Sequence, residues 1–146
     1  MQATLSVILA LDVGDRRIGV ASANSIARIA SPLTTLLRSE ATPAEIQQLV
    51  QREGVCAIVI GLPRNLSGGH TAQTQAVEQF AATLQNVVAV PLHWQDEALT
   101  SRKAEAELES RGKPYQKGDI DALSATYILE DFLRDNPNWP STGEVT

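Results

Sequence analysis

Residues 5–13 are apolar at almost every position. A strand with no polar face cannot turn one side to water, so this run predicts a strand covered on both faces. A chain built around such a strand needs helices above and below its sheet. Gly14-Asp15-Arg16-Arg17 breaks the run and residues 18–23 return, which predicts a hairpin. Residues 29–37 follow the turn-prone Asn24-Ser25 and predict a third strand. Thr42-Pro43-Ala44-Glu45 has the form of a capping box with proline at the first helical position. Ile46, Leu49 and Val50 would be the buried stripe of that helix and Gly54 its stop. A β-rich run over 55–60 then ends at Gly61-Leu62-Pro63, followed by a glycine-containing loop over 64–69. Ala76, Val77, Phe80, Ala81 and Leu84 mark an amphipathic helix, and residues 87–94 the next strand. A short helix should run from Thr100 or Ser101 to Leu108, and a last one from an N-cap at Asp119 to about Arg134.

The order of elements predicts a single α/β domain: a five-stranded mixed sheet, a three-strand meander followed by parallel strands, with four helices over both faces. We expect the domain to cover 1–135 and residues 136–146, with two prolines and little apolar content, to form a flexible tail. The chain has 146 residues, 43% apolar and 20% charged, which argues against disorder. No apolar run approaches the length of a membrane span, and residues 7–11 lack the basic flank of a signal peptide. A single cysteine, Cys56, precludes an internal disulfide and fits a reducing cytoplasmic setting. The net charge of −5 counts against a polyanionic partner. Its distribution weakens that objection: Arg16, Arg17, Arg64, Arg102, Lys103, Arg111, Lys113 and Lys117 lie in or near connections that carry acids of interest. Local potential steers a ligand more than total charge does.

Three of those acids stand where the chain changes element: Asp12, Glu97 and Asp121. Asp12 shares the parity of Ile8 and Ala10, although a turn-initiating aspartate would look the same. Asp96-Glu97 follow an apolar strand, a common place for acids. Asp121 is the more telling, because Ala125, Ile128 and Phe132 continue its helical stripe toward the core. A charge there is costly unless paired, and Asp119 has the better claim to capping. Gathered together, three carboxylates suit an all-oxygen site for one or two Mg²⁺ or Mn²⁺ ions. Such a site can activate water against a phosphodiester without a histidine, cysteine or serine nucleophile. His70 and His93 show no ligand spacing, and neither a Gly-x-Ser-x-Gly elbow nor a Walker A lysine is present. The glycines from Gly61 to Gly69 could let backbone amides approach a phosphate, or could merely join strand to helix. Thr100, Ser101, Arg102 and Lys103, with Arg16, Arg17 and Arg64, are candidates for contact with a nucleic-acid backbone.

Leu11-Asp12-Val13-Gly14-Asp15-Arg16-Arg17-Ile18-Gly19-Val20-Ala21, Val59-Ile60-Gly61-Leu62-Pro63, Asp96-Glu97-Ala98-Leu99-Thr100-Ser101 and Ile120-Asp121-Ala122-Leu123-Ser124-Ala125 together resemble the successive motifs of the YqgF family. The resemblance runs in order from about Leu5 to Leu133. It implies a ribonuclease H-like fold, with Asp12, Glu97 and Asp121 as metal-binding catalytic acids. It also implies a nuclease maturing the 5′ end of pre-16S ribosomal RNA or, alternatively, a Holliday-junction resolvase acting on four-way DNA. Two positions depart from the family pattern: Ala98 stands where an arginine is common, and Asn24 where an aspartate often closes the second strand. Ala98 lends weight to a further alternative, a non-catalytic nucleic-acid or ribosome-associated binding module. Asp12-x-Gly14 also resembles the first phosphate loop of actin-like ATPases, but 146 residues are too few for their two lobes.

Overall fold

The computed structural model of the chain describes residues 5–63, 71–97 and 100–140, with the backbone alone at 100–102. Strands β1 (Val7–Val13), β2 (Arg17–Asn24), β3 (Ser31–Leu37), β4 (Val55–Pro63) and β5 (Leu92–Glu97) form one sheet in the order β3-β2-β1-β4-β5. The first three are antiparallel neighbours, and β1, β4 and β5 run parallel. Helices α1 (Thr42–Glu53), α2 (Ala72–Gln85), α3 (Thr100–Ser110) and α4 (Lys117–Asp135) complete the described residues.

Strand β1 is central, and Ile8, Leu9, Ala10 and Leu11 have no exposed surface. Leu9, Leu11 and Val13 pack with Ile46, Leu49, Val77, Phe80 and Leu84 on one side of the sheet. Ile8 and Ala10 pack with Ala125, Ile128, Leu129 and Phe132 of α4 on the other. The α4 side of the sheet is lined by small residues (Ala10, Ala21, Ala23 and Ala57), which let a long helix lie close. Burying large apolar side chains such as Ile128, Leu129 and Phe132 stabilises by about 1.5–3 kcal/mol each, so α4 is firmly anchored.

Closest approach comes at Gly19. A Cβ built there would lie 1.9 Å from the backbone oxygen of Asp121 and 2.8 Å from the nitrogen of Ala122. Glycine inside a strand weakens it locally, and close backbone approach is a reason to keep one. Here it sets the height of the α4 N-terminal half over the sheet.

Several element ends differ from the sequence reading. Strand β4 continues through Gly61-Leu62-Pro63, which pair with Gln95, Asp96 and Glu97. Strand β5 starts at Leu92, not Val87. Pro91 has no N–H for the ladder and only its carbonyl bonds, accepting from Ile58 N at 3.0 Å. Of the valines before it, Val88 is buried beside Leu84 and Val90 packs against the same core, while Val87 is exposed. The capping box expected at Thr42 is absent: Ala41 is the N-cap, and the Thr42 hydroxyl accepts from Ser39 N while donating to Leu37 O. Gly54 does end α1 in the left-handed conformation, with φ 67°. Helix α4 starts earlier than expected, with Gln116 as N-cap and Asp119 at the third helical position, accepting from Gln116 N at 2.9 Å.

The stretch from Asn136 was expected to be loose; residues 141–146 lie outside the described residues, and 136–140 are tied down. Trp139 is buried against the α4 side of the core. Arg28, at φ 53°, donates to the carbonyls of Leu133, Asn136 and Trp139. The bond to Leu133 satisfies a carbonyl that the end of α4 leaves open, and the other two hold the segment after it, so one buried aromatic and one arginine override the polar composition.

Replacing Gly19 with alanine should cost about 3 kcal/mol or more, because rigid backbone faces the new methyl. Gly54→Ala, with open space around it and only left-handed strain to bear, should cost about 1–2 kcal/mol. Urea unfolding midpoints measure both, and equal losses would show that α4 is not seated on Gly19.

Candidate active site

Alternation along the strands sends Asp12 to the α4 side with Ile8 and Ala10, near the C-terminal end of β1. Glu97 is the last residue of β5, two strands away. Between them runs β4, and Gly61 clears the way. A Cβ at Gly61 would stand 2.8 Å from Glu97 Oε2 and 2.5 Å from Ile128 Cδ1. The bare backbone therefore lets the Glu97 side chain lie across β4, and it makes hydrogen-bond contact with Asp12. The sequence left Gly61 either near a phosphate or in a loop joining strand to helix; it is a strand residue whose missing side chain accommodates an acid. Its position inside an apolar strand was the available signal.

Burial, first, and then the negative charges of Glu97 and Asp121 and the hydrogen bond with Glu97 push the Asp12 carboxyl up to about 8 from its usual 3.8. Near neutral pH, without a cation, Asp12 thus holds its proton. This is the behaviour of a buried acid cluster with too little positive charge among its neighbours.

Asp121 lies in the second turn of α4 and shares the core-facing stripe with the fully buried Ala125. Its charge is paired: Arg17 Nε donates to Asp121 Oδ2 at 2.6 Å, with the two side chains 31% and 21% exposed. Asp12 and Glu97 therefore stand together, and Asp121 is near enough to act on Asp12 while its carboxylate engages Arg17. Among the described residues, no three His, Cys, Asp or Glu side chains are already grouped closely enough to hold a metal ion. The donor chemistry nonetheless fits a hard divalent cation, since a half-buried pair of carboxyls with a third beside it is what such an ion neutralises.

The proposed backbone-contact residues are placed unequally. Arg17 is engaged with Asp121, whereas Arg16 is exposed in the β1–β2 turn. Lys103 is exposed, with its ammonium 4.3 Å from the centre of the Tyr127 ring. Thr100, Ser101 and Arg102 open α3, but their side chains lie outside the described residues, as do Arg64, Ala98 and His70. Asn24 is remote from the acids: it pairs with Val7 at the other end of β1, and its Oδ1 accepts from Ile26 N and Ala27 N. It caps a turn, a task asparagine and aspartate share, so its departure from the family pattern leaves the acid cluster untouched.

Comparison with known proteins places this geometry. A family model described as "RuvX: Holliday junction resolvase" matches residues 6–135. A protein of Chloroflexus aurantiacus named "Putative pre-16S rRNA nuclease" is 46% identical over 139 residues, covering 90% of this chain and 91% of its own. One of the same name from Crocosphaera subtropica is 42% identical over 130 residues, covering 86% and 90%. Among solved structures, Thermus thermophilus RuvC in complex with a Holliday junction substrate aligns over 89% of this chain and 95% of its own, with a TM-score of 0.53 at 16% identity. The Fowlpox virus resolvase bound to Holliday junction DNA aligns over 90% and 98%, with a TM-score of 0.51 at 8% identity. At such identities the two structures speak for the fold, which is ribonuclease H-like. From its sequence and its fold together, the chain belongs to the RuvX family, the YqgF family that its motifs resemble.

Proposed function

We propose that this protein is a metal-dependent endonuclease that hydrolyses phosphodiester bonds in the 5′ leader of pre-16S ribosomal RNA, in the cytoplasm. The observation that carries the reading is the half-buried Asp12–Glu97 carboxyl contact at the ends of parallel strands, with Asp121 of α4 beside it. Relatives named for pre-16S rRNA nuclease activity, sharing 42–46% identity over most of the chain, favour that substrate. The resolvase description of the family model supports four-way DNA as the second reading.

In this mechanism Asp12, Glu97 and Asp121 would hold one or two Mg²⁺ or Mn²⁺ ions. A bound ion supplies activation of water for attack on phosphorus and stabilisation of charge on the departing oxygen. The residues do the rest. Asp12, which shares a hydrogen bond with Glu97, would give up its carboxyl proton on holding a cation, because the ligating form of a carboxyl is the carboxylate. Helix α4 and β4 cover one side of the pair, with Ile128 and Glu97 packed over Gly61, which strengthens charge interactions there. Arg16 stands exposed beside the same strand ends, suited to a backbone phosphate. Thr100, Ser101, Arg102, Lys103 and Arg64 remain its proposed companions.

Asp12→Asn should lower Mg²⁺- or Mn²⁺-dependent cleavage of a pre-16S leader RNA more than about a hundredfold, a larger loss than altering a mere neighbour of a metal ligand. Its circular dichroism should match wild type. Undiminished cleavage would remove Asp12 from the mechanism. In a parallel assay the leader RNA should be cut faster than a four-way DNA junction; the reverse order would establish the resolvase reading, and binding without cutting of either would establish a non-catalytic module.

The protonation of Asp12 gives a pH signature. Its folded-state value, about 8, lies above its unfolded value near 3.8, so the folded protein binds the proton more tightly. The associated stability is fully present below about pH 4 and is lost as pH rises toward 8. In the presence of EDTA, the melting temperature of the wild type should therefore fall between pH 5 and pH 8 more than that of Asp12→Asn. Parallel curves would show that Asp12 is ionised throughout.

A further inference from the structure

We infer that Arg17 is a positioning residue for metal uptake: it holds the Asp121 carboxylate until a divalent cation competes it away, and so sets the ion concentration at which the three-acid site assembles. The inference rests on the functional reading above and concerns one side chain that the reading leaves without a role.

Three observations lead to it. Arg17 opens β2 and shares the α4 side of the sheet with Gly19, so its guanidinium rises beside the second turn of α4 and meets Asp121 Oδ2 at 2.6 Å. Asp12 is the register partner of Gly19, which puts Arg17 one same-face position along the neighbouring strand from Asp12. The Asp121 backbone, finally, has nowhere to go, since its carbonyl is seated where a Gly19 side chain would otherwise stand. With the backbone fixed, Asp121 can change partner only by turning its side chain, a motion of two torsions. Arg17 and an incoming cation therefore compete for one carboxylate, a single charge against a double one.

The pair also bears on folding. An unpaired carboxylate on the stripe of Ala125 and Ile128 would be costly to bury, and Arg17 removes that cost before any ion is bound. The same contact must then be broken or shared when the ion binds, so the counter-ion that helps folding weakens metal affinity.

Mn²⁺ binding to the full-length protein, read from the electron paramagnetic resonance signal of free Mn²⁺, tests this without reference to activity. Arg17→Gln should bind Mn²⁺ about two- to fivefold more tightly than wild type, the range expected for losing a partly exposed ion pair. Arg17→Met, a second neutral side chain of similar reach, should show the same gain, whereas Arg17→Lys, which keeps the charge, should stay close to wild type. In an Asp121→Asn background the Arg17→Gln gain should vanish, which a general effect on folding would not produce. Unchanged or weaker binding by both neutral variants, or a gain that persists without the Asp121 carboxylate, would overturn the inference. The functional reading fails in a different way: wild type and Asp12→Asn would then take up Mn²⁺ alike, or neither would bind it.

Discussion

A helix can deliver a carboxylate to the surface of a sheet only where the sheet has no side chain in the way. Gly19 and Gly61 meet that condition on the same face of the sheet, on the two strands that flank β1. The first lets the Asp121 carbonyl lie within a methyl's distance of β2, and the second lets Glu97 and Ile128 occupy the space above β4. Remove either gap and α4 must rise, taking Asp121 away from Asp12. The acid cluster is thus a consequence of close packing, and the small residues that permit it continue along the α4 side as Ala10, Ala21 and Ala57.

Close packing creates an electrostatic problem that the apolar core contains. Asp12, Glu97 and Asp121 repel one another in partly buried surroundings, and Asp12 responds by keeping its proton. Arg17 answers for Asp121. The anchorage of α4 through Ile128, Leu129, Phe132 and Leu133, secured at its far end by Arg28 and Trp139, keeps the acids from drifting apart. Stability resides in one half of the helix and reactivity in the other.

Much of this was legible in the chain. The doubly apolar run at β1, the period of α2 and α4 and the alternation of strands and helices are local signals, and the sheet and its helices follow them. Asp12, Glu97 and Asp121 stand out in the sequence because each sits at an element end or on a buried stripe, and the fold puts Asp12 and Glu97 in contact with Asp121 nearby. Less legible were some element boundaries. Val87 and Val88 have strand-forming side chains but precede Pro91, and the ladder begins only beyond it. Thr42 turns its hydroxyl to Leu37 across the turn, and Trp139 enters the core from a segment whose composition reads as tail. The first two turn on residues three to five positions away, and only Trp139 depends on partners far along the chain.

The order of residues was enough to set the periodicities, hence the elements, the mixed sheet and the acids brought to its strand ends, because each depends on short stretches of chain and on hydrophobic burial. It could not tell which cation meets which acid. Arg17 read as one more basic residue for a phosphate, and Gly61 as part of a loop. Their roles arise from contacts across the fold: Arg17 and Asp121 are 104 residues apart in the chain. Charge pairing and steric clearance fall off within a few ångströms, and such distances exist only after the sheet has closed beneath its helix.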